Sequence, residues 1–318
     1  MDKTVLITGA GGFIGLNTVN FFRQNGWKVI AVVHKNVPKE LDDVEKAYAD
    51  LSDKNSIARM WENLSDKPQT IVHIAGLASD IGTYKLFEKI NFNSVKNLAS
   101  LPIKKFVYVS TMDVYGIKDF NGEKEEELSL LEFPKNPYPH FKIKSEEWLR
   151  KNCTCNYVIL RPAAVWGEND KTLEKRAVDF LRTSPFIVHF GKWKGKNRWP
   201  LADVKNVAKV VLAVSQSDKY DNDAITIIDA KKTTIDDWYR DLASKYFPEK
   251  RFKTLYLPLW VGKLIGAFST SLSNLLNKTH PIFDPSFYAV HHVSSNLDLS
   301  SEKMEKIISE ISESSIQE

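Results

Sequence analysis

Tyr138 and Lys142 stand four residues apart, the spacing that puts two side chains on one face of a helix. A lysine ammonium beside a phenol stabilises the phenolate and draws its pKa down, giving a proton donor and acceptor near neutral pH. Pro139 takes the place of a first helical residue, where a missing N–H costs nothing. Many helices carry Y-x-x-x-K by chance, so the weight of the pair comes from its surroundings. Ser110 and Thr111 close an apolar run, and Asn91 opens a long amphipathic segment.

Far upstream, Val5, Leu6 and Ile7 lead into Gly9, Gly12 and Gly15, and an amphipathic segment with Val19, Phe21 and Phe22 runs to Gly26. This is the pattern of a buried strand, a glycine turn and a helix. A helix N-terminus offers free N–H groups and partial positive charge to a pyrophosphate, so the stretch predicts a dinucleotide-binding βαβ unit. Gly9 serves the sharp turn, Gly12 the approach of the backbone to phosphates, and Gly15 close packing of helix on strand. The plainer alternative is a tight turn with no ligand.

The elements that must position these residues follow in order. Trp27–Val33, Ala47–Leu51, Thr70–Ala75, Lys105–Ser110 and Tyr157–Arg161 read as further strands, with helices near 56–64 and 85–101. Strands alternating with helices predict an α/β fold with a doubly wound parallel sheet, whose ligands gather at the carboxyl ends of the strands. Beyond Gly167 the pattern loosens. A helix over 204–214 and a strand over 224–228 return to the sheet, and a polar helix lies near 301–312. The predicted division is a Rossmann-type domain over 1–166, with a return segment of about 200–230. A smaller substrate domain takes 167–199 and 231–318.

The chain has 318 residues, of which 43% are hydrophobic and 26% charged, an ordinary soluble composition. Its 44 basic and 40 acidic residues leave a net charge of +4, too scattered to predict a nucleic-acid partner. Cys153 and Cys155 make neither a disulfide framework nor a metal set, so no metal is predicted and a reducing cytoplasm is the expectation. The first strand begins within a few residues of Met1, which leaves no room for a signal peptide. The most apolar stretch, 255–268, is too short to span a bilayer. It is read as a helix packed inside the C-terminal domain or at a subunit interface rather than as membrane contact.

The chain resembles the extended short-chain dehydrogenase/reductase superfamily, in its NAD(P)-dependent epimerase/dehydratase and 3β-hydroxysteroid-dehydrogenase-like group. The matching pieces are TGAGGFIG (8–15), ADL (49–51), HIAG (73–76), NFNSVKNL (91–98), VSTMDVYG (109–116), PYPHFKIKSEE (137–147) and LRPAAVWG (160–167), in the family's order. WPLADVKNVA (199–208) matches more loosely. The resemblance implies that Thr111 bonds the substrate oxygen, Tyr138 is the acid and base, and Lys142 orients the nicotinamide ribose. It assigns to the cofactor Gly9, Gly12, Phe13, Ile14 and Gly15, then Asp50 and Leu51, Ala75 and Gly76, and Pro162 beside Tyr138 and Lys142. Asn91 matches a structural position below the site. A homodimer through the helices of 91–101 and 138–151 is implied as well.

The departures from the family pattern carry information. NAD users end the second strand with an acid that binds the ribose hydroxyls. Here Val33 holds that place, followed by His34 and Lys35, which favours NADP with NAD as the alternative. The plain reading of His34 and Lys35 is a solvated turn. Met112 stands where dehydratases carry a proton-donating acid, which disfavours loss of water. Ala164 replaces a frequent asparagine, and Arg198 lies one residue from a frequent pyrophosphate clamp. Lys192, Lys194 and Lys196 could supply a substitute clamp or form an exposed basic loop. Nothing accounts for Phe141, which replaces a small residue before the lysine.

The leading expectation is an NADP-dependent reductase of a keto group on a nucleotide sugar. A nucleotide-sugar epimerase with bound NAD is the second reading, and a non-catalytic NADP(H)-binding sensor or scaffold the third.

Overall fold

Strand runs such as TVLIT and KFVYV are buried along their whole length, as strands covered by helices on both faces must be. The computed structural model describes residues 3–34, 37–170 and 172–314. The strands are β1 (Thr4–Thr8), β2 (Lys28–Val33), β3 (Glu45–Tyr48), β4 (Thr70–His73), β5 (Lys105–Val109) and two later ones, Asn156–Pro162 and Asp223–Ile227. They form one seven-stranded parallel sheet. From one edge it runs Asp223–Ile227, Asn156–Pro162, β5, β4, β1, β2 and β3. Strand order reverses between β1 and β4, and a ligand crevice opens at such a point. This is the doubly wound, Rossmann-type sheet that the alternation predicts.

Helices cover both faces. On one, α1 (Phe13–Gln24) packs on α7 (Val204–Gln216), which in turn meets α11 (Glu302–Ser314). On the other lie α2 (Lys54–Asn63), α4 (Asn93–Ala99) and α5 (Pro137–Asn152). Beyond the sheet, α6 (Leu173–Thr183), α8 (Ile235–Tyr246), α9 (Leu259–Leu275), α10 (Phe287–Ser294) and several short strands build a cap over the carboxyl edge. The return elements are thus α7 and the Asp223–Ile227 strand.

Several elements differ from expectation for local reasons. The helix over 85–101 is α3 (Tyr84–Phe87), a π-helical turn (Glu88–Phe92) and α4 in succession. Asn91 sits in the wide turn with its amide turned to the backbone of Leu77. The helix that carries Tyr138 and Lys142 starts at Pro137 rather than Pro139, because the Asn136 carboxamide oxygen caps it by accepting from the Tyr138 N–H at 2.8 Å. β3 stops at Tyr48, leaving Asp50 and Leu51 in the loop beyond it. Cys153 caps the end of α5 and Cys155 precedes the next strand; their sulfurs lie 3.1 Å apart.

Of the two readings of 255–268, a helix packed inside the C-terminal domain is the one the structure departs from. Leu255 to Leu257 belong to a strand, Lys253–Leu257, and α9 leaves one side largely uncovered. No helix among the described residues is long and apolar enough to cross a membrane.

Candidate active site

Gly9 takes φ +68° at the end of β1, and a Cβ there would stand 2.7 Å from the Ala75 nitrogen. A Cβ on Gly15 would fall 2.0 Å from the Gly9 carbonyl oxygen, so the first turn of α1 can lie this close only without a side chain. Gly12 is the N-cap of α1 and supplies no side-chain acceptor, and no acid occupies the first turn. The leading N–H groups are therefore left for an anion at a positive helix end. A cleft of about 270 Å³ continues from there past Phe13, Ile14, Gly76, Thr111, Tyr138, Lys142 and Pro162. These residues fit a dinucleotide: an uncapped helix end for its phosphates, then a hydrophobic slot ending at the phenol.

The remaining residues expected at the cofactor fall into two groups. Ala75 backs the glycine turn through its N–H, which donates to Thr8 Oγ1 at 3.2 Å. Asp50, Leu51 and His34 lie beyond the carboxyl ends of β2 and β3. Asp50 accepts from the hydroxyl and the N–H of Ser52, the main cause that holds its carboxyl below the usual range. Leu51 packs against the apolar side chains that α2 and α4 bury on the sheet, and His34 is exposed. Lys35 falls outside the described residues.

Thr111 lies two residues past the end of β5 and caps a 3-10 turn over Met112–Tyr115, its hydroxyl accepting from the Asp113 N–H at 3.3 Å. Thr111 and Tyr138 line the same cleft, and the Thr111 hydroxyl favours the charged form of the phenol. Lys142 lies one turn along α5, with Nζ 5.9 Å from the Tyr138 ring and 4.8 Å from that of Tyr108. The lowered phenol pKa expected from this pairing does not appear. Burial, and then the negative charge of Asp113, hold the Tyr138 phenol above its ordinary value. The Lys142 ammonium donates to the Val109 carbonyl at 2.7 Å instead of reaching the phenol. Burial draws Lys142 itself down to about 7, against the pull of Glu146.

Reading the sequence alone misses the charged groups around this triad. Arg161 and Glu146 form a buried, two-pronged ion pair: Nε donates to Oε1 at 3.1 Å, and Nη2 to Oε2. Ser110 donates to the same carboxylate at 2.6 Å, and Arg161 reaches the Tyr115 hydroxyl at 2.7 Å. This network locks α5 to the ends of β5 and the Asn156–Pro162 strand, fixing the helix that carries Tyr138 and Lys142. A second group comes from the cap. Asp113 accepts from the Tyr288 hydroxyl at 2.8 Å and lies 3.4 Å from His292 Nε2. Burial alone would push the Asp113 carboxyl up, but His292 and Tyr288 outweigh it and hold it below the carboxylate range. The pair raises His292 in turn, despite burial. Asp113 ends the Thr-Met-Asp row and could be noticed there; no local motif marks Tyr288 or His292.

Beyond the phenol a second cavity of about 470 Å³ opens inside the cap. Phe180, Phe190, Trp199, Trp238, Leu257 and Ile265 are among the residues that line it, beside the charged Asp80, Asp113, Arg176 and Asp284. Its one arginine, Arg176, is held by Asp284 and by Asp80 at 2.9 Å. Asp113, Tyr138 and His292 line both this cavity and the cofactor cleft. Lys192, Lys194 and Lys196 lie on the surface outside both, with Lys192 paired to Asp119 at 2.6 Å. Arg198 lies outside both as well. The exposed-loop reading of this basic segment is therefore the one the structure supports.

The model of the NAD dependent epimerase/dehydratase family matches residues 5–227. The chain belongs to that family. Among proteins similar to this family member are a UDP-glucose 4-epimerase of Vibrio cholerae and a decarboxylating sterol-4-alpha-carboxylate 3-dehydrogenase of Candida albicans. The first is 22% identical over 84% of this chain and 82% of its own length. The second is 28% identical over 74% of this chain and 67% of its own length. The fold also matches a Thermotoga maritima UDP-glucose 4-epimerase solved with UDP-glucose. That likeness has a TM-score of 0.66 and 21% identity, over 96% of this chain and 99% of the other. This epimerase/dehydratase-family member is thus an enzyme of the extended short-chain dehydrogenase/reductase type.

Proposed function

We propose that the enzyme reduces a ketone to a secondary alcohol, with Tyr138 as the proton donor. The observation that carries this is the place of Tyr138 on the wall shared by the cofactor cleft and the cap cavity, with Thr111 lining the cleft on the cofactor side. A nicotinamide bound in the cleft supplies or accepts a hydride at the carbon. Thr111 donates a hydrogen bond that holds the carbonyl oxygen beside the phenol. Tyr138 gives its proton to that oxygen as the alkoxide forms, and Lys142 can then turn from Val109 toward the phenolate. A phenol kept protonated by burial and by Asp113 suits this direction.

The residues favour NADP, since Val33 and His34 place no carboxylate where a 2′-phosphate would lie. The nucleotide-sugar expectation weakens on the chemistry of the cap cavity. Its arginine is already engaged by two carboxylates, and aromatic and aliphatic walls suit a ketone with an apolar body. Similarity to UDP-glucose 4-epimerases supports the second reading, an epimerase that keeps NAD through the reaction. The third reading, a silent NADP(H)-binding relative, is set aside by the family and the enzymes it contains. A homodimer through α4 and α5 goes with all three.

One experiment separates them. Nucleotide is released from freshly purified protein by denaturation and identified. The stripped protein is then titrated with NADPH and NADH and assayed with apolar ring ketones and with a 4-keto sugar nucleotide. An empty protein that prefers NADPH and reduces the apolar ketones is the expected result. Retained NAD with interconversion of UDP-sugars would overturn it in favour of the epimerase.

A further inference from the structure

Helix α9 is built inside out for a helix on a protein in water. Its buried residues are Gly262, Gly266, Ser269 and Ser273, one narrow face of small side chains. That face fits because nothing projects from it. A Cβ on Gly262 would stand 2.7 Å from the Phe190 ring, and one on Gly266 2.7 Å from the Phe287 backbone. Ser269 donates to the Phe283 carbonyl, while Ser273 donates to Ser269 at 2.7 Å and accepts from the Ile282 N–H. The large apolar residues point the other way. Trp260, Leu264, Phe268 and Leu275 are 63, 63, 64 and 77% exposed, at spacings that keep them on one stripe. Burial in a core would reverse this arrangement.

The apolar surface extends past the helix. Leu276, Ile282 and Phe283 are exposed, with the Phe283 ring 6.1 Å from that of Phe268. Across the mouth of an outer groove stands Phe133, 84% exposed. Thr270, Asn274 and Lys278 line that groove from α9 and its end, and Asp113 and Tyr288 lie at its floor, which it shares with the cap cavity. Between Glu249 and Asp284 the chain carries Lys250, Arg251, Lys253, Lys263 and Lys278 and no carboxylate.

We propose that α9 and its flanking loops dock the enzyme on an anionic lipid surface, with Trp260, Leu264, Phe268 and Leu275 entering the interface and Lys263 and Lys278 meeting lipid phosphates. Charge decides between this occupant and a second copy. Two copies joined through this face would set Lys263 and Lys278 against their equivalents, whereas an anionic bilayer complements them. An apolar stripe set among cations is the design of an interfacial helix, which lies in the plane of the headgroups without crossing the bilayer. The groove mouth then faces the lipid. This docking does not depend on which substrate the cap cavity takes.

The test is flotation of the full chain with vesicles of phosphatidylcholine alone and of phosphatidylcholine with phosphatidylglycerol. It compares the wild type with L264E/F268E, and light scattering gives the oligomeric state of each. We expect the wild type to float with anionic vesicles, at least tenfold less with neutral ones, and less again as salt rises. The variant should lose at least tenfold in bound fraction while keeping its circular dichroism and NADPH affinity, since both positions are exposed. Failure of the wild type to bind anionic vesicles would overturn the proposal. So would equal binding by the variant, or a wild-type dimer that L264E/F268E splits into monomers.

Discussion

In the proposed reaction Tyr138 gives up a proton, and burial, then the charge of Asp113, keeps that proton on in the free enzyme. Tyr138→Phe should lower the rate of ketone reduction by about 10²–10⁴-fold, the usual worth of a positioned acid. The dissociation constant for NADPH, read by fluorescence titration, should stay within a few-fold. A variant that still turns over would remove the phenol from the mechanism. Thr111, Tyr138 and Lys142 stand out in the sequence because each occupies a place in a recurring order, and the roles proposed for them rest on that order. The protonation states were not. They depend on Asp113, whose carboxylate is held by Tyr288 and His292 from a helix some 175 residues further on, and on the Val109 carbonyl that occupies Lys142. No spacing rule reaches across such distances.

Two elements owe their placement to buried polar side chains. Glu146 receives bonds from Arg161 and Ser110 with neither charge open to solvent, so α5 is pinned at its middle. Glu146→Gln leaves the Arg161 guanidinium buried and unpaired. Urea unfolding should report a loss of roughly 3–5 kcal/mol, with a fall in kcat as the helix shifts. His73, at the end of β4, joins Thr8 at 2.7 Å to Ser94 at 3.2 Å and so ties β1 and β4 to α4. Burial draws it from 6.5 down to about 3, so it folds neutral. Between those values the unfolded chain binds a proton that the folded one does not, and acid therefore favours unfolding. The stability this group contributes is intact above pH 6.5 and falls by about 2 kcal/mol at pH 5. Unfolding curves at pH 7 and 5 should show a smaller difference in His73→Gln than in the wild type. Strand and helix types were legible at this scale from periodicity. The π-helical turn at Asn91 was not, since its cause is a tertiary bond to Leu77 rather than a local preference.

For the molecule as a whole, the sheet and the cap meet around Asp113, Tyr138 and His292, and we propose that the chain divides into two domains at residue 166, with its return through α7. Ligand linkage gives a measurement on this scale. NADPH at a hundred times its dissociation constant should raise the unfolding free energy by about 2.7 kcal/mol, and NADH at the same concentration by less. Equal stabilisation by both would remove the preference argued from Val33 and His34. The sheet was legible as a whole; the cap was recognisable only as a region where alternation fails. Its cavity walls come from helices and strands whose apolar residues look like any core, and α9 hid its orientation because composition does not say which face turns inward.

The order of the sheet also bears on how the chain is made. The strand Asn156–Pro162 waits for its outer neighbour, Asp223–Ile227, while residues 163–222 are still being synthesised. At roughly 5–20 residues per second the ribosome takes about 3–12 s to deliver them. Through that interval a nascent chain with six strands paired carries an open, apolar β-edge, able to template a wrong partner. Slow codons within 163–222 would prolong the exposure and fast ones shorten it, so the soluble yield of this enzyme should depend on translation speed in that window more than elsewhere.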